Sequence, residues 1–148
     1  MPTDPIDEQI LAKIAARLAG ITKGEVYFYT PGEVARDWKN WDQVNAFPFY
    51  GVIEGRRTLP IDTFTTIAAQ LTVTIVGWVK SDAHRRIELN RAIADVIRAC
   101  YADESWSGLA LITKVPEIVT DEAAAAAKPH AYFEGTLQIE YQLDRGTV

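Results

Sequence analysis

The side chains whose types could carry nucleophilic or metal chemistry are few: His84, His130, Cys100, Ser105 and Ser107. The two histidines lie far apart in the chain and share no metal-ligand spacing with the lone cysteine. Ser105 and Ser107 sit in "ESWSG", a turn with no G-x-S-x-G elbow around it. "GITKGEV" lacks the spacing and the Lys-Ser/Thr ending of a phosphate-binding loop. Cys100 falls on the apolar face of a helical segment, where cysteine behaves as a small hydrophobe, whereas a reactive thiol needs a polar, exposed setting. Asp121 and Glu122 are adjacent acids that suit a helix start better than a general acid and base. Gly51 and Gly55 lie in or beside a strand, where glycine marks a bulge or a close approach. The expectation is a protein without catalytic, metal or cofactor-binding residues.

Composition narrows the partners. The 148 residues suit one domain with a real core, and 48% hydrophobic with 24% charged residues is globular composition. The net charge is -5, and no basic run exceeds two residues, so the basic excess that displaces counterions from a duplex is missing. One cysteine permits no intrachain disulfide, which fits a reducing compartment. "MPTDPIDEQ" is polar and acidic where a secretory leader would be basic and then apolar. The charge-free run Thr63 to Val79 is at the short limit for a membrane span and holds five threonines and a glutamine, which favours a strand.

That run is the centre of the chain. Ile67, Ala69, Leu71, Val73, Ile75, Gly77 and Val79 alternate with Thr66, Ala68, Gln70, Thr72, Thr74, Val76 and Trp78, a period of two. A helix follows at once, with Ser81 or Asp82 as its cap and Leu89, Ile93, Val96, Ile97 and Cys100 on its apolar side. Arg91, Asp95 and Arg98 fall opposite that side, at spacings that allow pairing with one another, and Ile87 joins them.

Upstream, Asp4 and Pro5 open a helix to about Ala19 whose Ile6, Ile10, Ile14 and Leu18 recur every four residues, with Gly20 as its cap. "EVYFYT" (Glu25 to Thr30) predicts a strand. The segment Pro31 to Ala46 has no clean period, and its Trp38 and Trp41 either tuck onto the domain's own core or anchor in a neighbouring subunit. "FPFYGVIEG" (Phe47 to Gly55) predicts a strand that starts at a sheet edge because of Pro48. Arg56 and Arg57 then lie in a polar connection, as a solvated turn or facing an acidic neighbour.

Downstream, "LALITKVPEIV" (Leu109 to Val119) predicts a strand disturbed at Pro116. Thr120 or Asp121 begins either a short alanine helix or a loop. "YFEGTLQIEYQL" (Tyr132 to Leu143) alternates again, with Phe133, Gly135, Leu137, Ile139, Tyr141 and Leu143 on one face. The predicted fold is one α+β domain over 1–148, with loose ends at 1–4 and 144–148. A mainly antiparallel sheet of four to five strands packs against two main helices in two layers.

Element by element, "FPFYGVIEG", "LTVTIVGWV", "DAHRRIELNRAIADVIRA", "SGLALITKV", the acidic "TDE" and "AYFEGTLQIEYQL" resemble the tail terminator proteins of long-tailed bacteriophages, the minor tail protein U-like or tail completion family. The resemblance runs from about Pro5 to Leu143. It implies a structural subunit of a homohexameric ring that caps the tail tube, stops its polymerisation and joins the tail to the head. The implied partners are further copies of the chain, the tail tube (major tail) protein and the head-tail connector or stopper protein. Genomic DNA only passes through the channel. The implied location is the virion tail or neck, and the host cytoplasm during assembly. The family brings no catalytic residues and no cofactor, and its contact residues do not transfer by position. The contact candidates are therefore chosen by type: Trp38, Trp41 and Phe47 in the arm, Arg56 and Arg57, Ile87, Arg91 and Arg98 on the helix, and Asp121 and Glu122 in the acidic loop. The alternatives are another neck or connector (head completion) ring protein, or a small-ligand-binding or hydrolytic α+β domain with a pocket beneath the tryptophans.

Overall fold

The structure, a computed structural model, describes residues 2–59, 66–120 and 129–144. Helix α1 (Ile6–Ala19) is followed by β1 (Glu33–Ala35), β2 (Phe49–Thr58), β3 (Thr66–Lys80), α2 (Arg85–Ala102), β4 (Ile112–Thr120) and β5 (His130–Asp144). The five strands form one sheet in the order β1-β2-β3-β5-β4. Three of the four pairings are antiparallel and β1 runs parallel to β2, so the α+β domain has a mainly antiparallel but mixed sheet.

The alternation in β3 becomes a two-faced strand. Ala69, Leu71, Val73 and Ile75 are buried beneath the helices, which form the second layer. Phe133, Leu137, Ile139 and Tyr141 of β5 bury on the same face, here called the near face. Ile10, Leu11, Ile14 and Leu18 of α1 and Leu89, Val96 and Cys100 of α2 close over them. Near its end β3 is buried on both sides, because Val76 and Trp78 join Phe49, Val44 and Tyr132 in a second cluster on the far face.

Several boundaries differ from expectation. Glu25 to Thr30 is no strand; only a single bridge, Lys23 to Tyr27, forms there, and the first strand is Glu33–Ala35. The start of β2 is not an edge, because β1 covers it and Gly32 donates to the Pro48 carbonyl at 2.9 Å. Arg56 and Arg57 belong to β2 itself, beside a bulge between Glu54 and Arg57. Gly55 lies in that bulge with Thr72 O so near that a Cβ would collide with it. Pro5, not Asp4, takes the cap position of α1 without a side-chain bond, and α2 starts after His84, whose amide donates to Ser81 Oγ. Pro116 falls inside a bulge of the edge strand β4, where a missing N–H costs no ladder bond. The possible helix after Thr120 lies outside the described residues.

"ESWSG" is a turn with a structural task. Trp106 (φ 51), Ser107 (φ 65) and Gly108 (φ 87) are consecutive left-handed residues, a conformation that costs each L side chain about 1 kcal/mol. The contacts around the turn offset that cost. Asp103 accepts from the Ser105 hydroxyl at 2.6 Å and from the amides of Ser105 and Ser107 at 3.0 and 2.9 Å. Trp106 is thereby driven into the core, 1% exposed, where its indole N–H donates to Thr113 at 2.7 Å and its ring lies 4.0 Å beneath the Arg17 guanidinium.

Trp106→Ala should therefore lose about 3–5 kcal/mol in urea unfolding, the usual loss for a large aromatic in a packed core; a loss below about 1 kcal/mol would show that the turn holds without it. Acid should act through Asp103. The hydroxyl of Ser105, then the two amides, hold its carboxyl down from the usual 3.8 to about 2. A depressed acid contributes stability above its unfolded value and loses it as pH falls through the folded one. The thermal midpoint should fall between pH 4 and pH 2, the window those two values set, and Asp103→Asn should flatten that limb. Equal slopes in both proteins would remove Asp103 as its source.

Candidate subunit interface

Residues 36–48 carry the chain from β1 back to the start of β2 across the far face. Gly51 is what lets them cross, since a Cβ there would collide with Asp37 O and the Val76 side chain. The arm is tied down through polar ends of aromatic rings. Trp38 Nε1 donates to Tyr132 Oη at 2.9 Å, and Tyr132 donates to Glu134 Oε1 at 2.8 Å. Trp78 Nε1 donates to Lys39 O at 2.9 Å. Trp41 stacks on His130 with centroids 4.6 Å apart, and Phe47 tilts against the same ring at 5.2 Å. Glu33 fastens both ends by pairing with Lys39 and accepting from the Asn45 amide at 3.1 Å. Its carboxyl is held below the usual range, first by the Lys39 bond and then by that amide.

The two tryptophans pack on their own domain, the first of the two readings their sequence context allowed. Each rests on its own sheet, yet Trp38 stays 46% and Trp41 37% exposed. The arm lies along the domain instead of projecting from it.

The outer face of α2 is not the self-paired polar stripe that its spacing suggested. Asp95 is 1% exposed, and its carboxylate accepts the amides of Phe28 and Tyr29 at 2.9–3.1 Å. Arg98 donates to the Val26 carbonyl at 2.7 Å, and Arg91 lies 5.4 Å over the Phe28 ring. The segment Thr22 to Thr30 is therefore a strap that α2 holds by three side chains. Burial pushes the Tyr29 hydroxyl up against the pull of Arg91. The strap presents Val26 and Phe28, 54% and 47% exposed, beside Ile87 at 52%. Sequence reasoning named Ile87, Arg91 and Arg98 of this surface but missed the strap and its exposed Val26 and Phe28; the one signal for the strap was an aspartate at a position flanked by buried residues, a carboxylate that needs donors.

Arg57 does face acidic neighbours within the chain, since it pairs with Asp7 of α1 and with Glu54. Glu54, then Asp7, raises its already high pKa. A groove of about 610 Å³ beside it is lined by Asp7, Gln9, Leu59, Tyr141 and Leu143, and its arginine is already neutralised. Arg56 is exposed, and Asp121 and Glu122 lie outside the described residues.

Cys100 is fully buried on the near face, and burial pushes its thiol up to about 12, with Arg17 pulling the other way. The His130 ring sits against Trp41 and Trp78 on the far face, so the sheet separates the two and they form no dyad. Among the described residues no group of three or more His, Cys, Asp or Glu could hold a metal ion, and no helix is long and apolar enough to cross a membrane. No family model matches the chain, and no curated protein matches it.

Asp95→Ala removes the acceptor of two strap amides inside the domain. It should cost about 2–3 kcal/mol, the range for hydrogen bonds to a buried charged group. Amide exchange at Phe28 and Tyr29 should accelerate well beyond that of β3; unchanged protection there would mean that the strap holds without Asp95.

Proposed function

We propose that the chain is a ring-forming structural subunit, the terminator at the end of a bacteriophage tail tube. The observation that supports it best is a pair of exposed surfaces fixed on opposite faces of one sheet: the aromatic arm on the far face and the strap with α2 on the near face. A ring needs two different patches on each subunit, so that one patch meets a different patch on the next copy. The order of elements, with two long strands around an amphipathic helix and a closing edge hairpin, supports the family resemblance over the same span. The task would be surface matching. One ring face binds the last tube ring and ends polymerisation, and the other receives the head connector. A net charge of -5 suits a channel wall along which DNA slides without sticking.

Negative-stain images and native mass measurement of the purified chain should give a six-fold ring. A monomer at every accessible concentration would sink the proposal, and a ring that does not bind tube ends would move it to another neck component. Trp38→Ala with Trp41→Ala should shift the protein to smaller species in light scattering. An unchanged ring mass with a lower thermal midpoint would make both tryptophans purely internal packing.

A further inference from the structure

The two exposed surfaces differ in charge as well as position. On α2 and the strap, Val26, Phe28 and Ile87 are exposed with Arg91 and Arg98, exposed Lys23 offsets exposed Glu25, and half-buried Glu88 leaves the surface net basic. Those arginines spend their guanidinium groups on a ring and a carbonyl, and among the described residues neither forms an ion pair with a carboxylate. On the arm, Trp38 and Trp41 are flanked by exposed Asp37, Asp42 and Glu134. Asp37 and Glu134 accept from the Trp38 amide and the Tyr132 hydroxyl, and the arm's two cations, Arg36 and Lys39, are taken by Glu8 and Glu33.

We infer that the strap surface of one copy docks on the aromatic arm of the next, with Arg91 and Arg98 facing Asp37, Asp42 and Glu134. This rests on the ring proposed above and names the contact that closes it. Like-with-like pairing is disfavoured on both sides. Two strap surfaces would oppose arginines, and two arms would oppose carboxylates, each juxtaposition repulsive once desolvated. The unlike pairing brings apolar groups onto exposed tryptophan rings and gives the arginines both carboxylates and ring faces to stack on. Because the two surfaces lie on opposite faces of the subunit, a copy that uses one leaves the other free, so association continues until the ring closes.

Two cysteines test the contact, because the native Cys100 is buried and does not interfere. With a short thiol-to-thiol cross-linker, the chain carrying both Gly24→Cys and Asn45→Cys, exposed positions on the strap and the arm that remove no contact side chain, should give a ladder of cross-linked species up to the full ring. Each single variant should stay uncross-linked. Efficient dimers from either single variant would overturn the inference by showing like-with-like pairing. So would an intact wild-type ring whose double variant gives no ladder, which would leave the ring standing and only this contact refuted. A wild-type monomer would refute the ring itself and this contact with it.

Charge reversal supplies an independent arm. Arg91→Glu with Arg98→Glu, and separately Asp37→Arg with Asp42→Arg, should each abolish assembly. An equimolar mixture of the two proteins has complementary surfaces at every junction and should restore ring-sized species. Reversal on either surface without loss of the ring, or a folded pair that does not recover on mixing, would overturn the inference.

Discussion

The pairing of β3 with β5 is the constraint from which the rest follows. Fifteen residue pairs run without interruption from Thr66 opposite Asp144 to Lys80 opposite His130. A strand has a period of two, so a slip of one residue would turn Leu71, Val73 and Ile75 away from the helices and expose them. The register is thereby locked by burial on one face alone. Both bulges fall outside this pair, one between Glu54 and Arg57 and one between Lys114 and Glu117. The inner ladder stays regular and the outer strands absorb the irregularity, Gly55 in one case and Pro116 in the other.

The same alternation decides what must cover the second face. Along β3 and β5 the far face begins with Gln70, Thr72, Thr74, Thr136 and Gln138, which water can satisfy. It ends with Val76, Trp78, Tyr132 and His130, which it cannot satisfy as well. The chain supplies a cover only where the face turns apolar. That cover is a thin arm with one 3₁₀ turn (Trp41–Gln43), so its rings are buried on one side and wet on the other. Each buried ring N–H finds a partner close by, as Trp78 does in Lys39 O, which keeps a wet-edged cluster from leaving donors unsatisfied.

Period and spacing made the layers legible in the sequence. The alternation of Ala69 to Val79 and of Phe133 to Leu143, and the four-residue repeat of Ile6 to Leu18, are direct consequences of which face is buried. The segments read wrongly or incompletely are those decided by polar contacts. "EVYFYT" has strand-forming residues, but Asp95, sixty-odd positions away, takes the amides of Phe28 and Tyr29 that a neighbouring strand would have used. Arg56 and Arg57 read as a loop because charge suggests solvent, yet an edge of β2 beyond the three-residue β1 tolerates both. Trp106 was hidden in a turn because nothing local says that Asp103 will hold three left-handed residues in place. In each case the deciding contact is made by a polar side chain, whether Asp95 across the fold or Asp103 within its own turn, and hydrophobic periodicity does not encode it.

The two exposed surfaces are fastened by the same device, a carboxylate that captures backbone N–H groups of an irregular segment. Asp95 holds the strap from α2, and Glu33 holds the arm from β1. Beyond the arm's single 3₁₀ turn neither segment has a helix or strand of its own, so each takes its orientation from the element that carries the acid. Between those elements stand the β2–β3 pairing, regular from Phe49 to Glu54 beside β1, and the β3–β5 ladder, which has no bulge. The angle between strap and arm is thus set by the sheet, and the loops only decorate it. In the proposed ring that angle determines how many copies close the circle. The number of subunits would then be a property of the most ordinary part of the fold, the alternating strand Thr66–Lys80, and the specificity of the junction a property of the least regular parts.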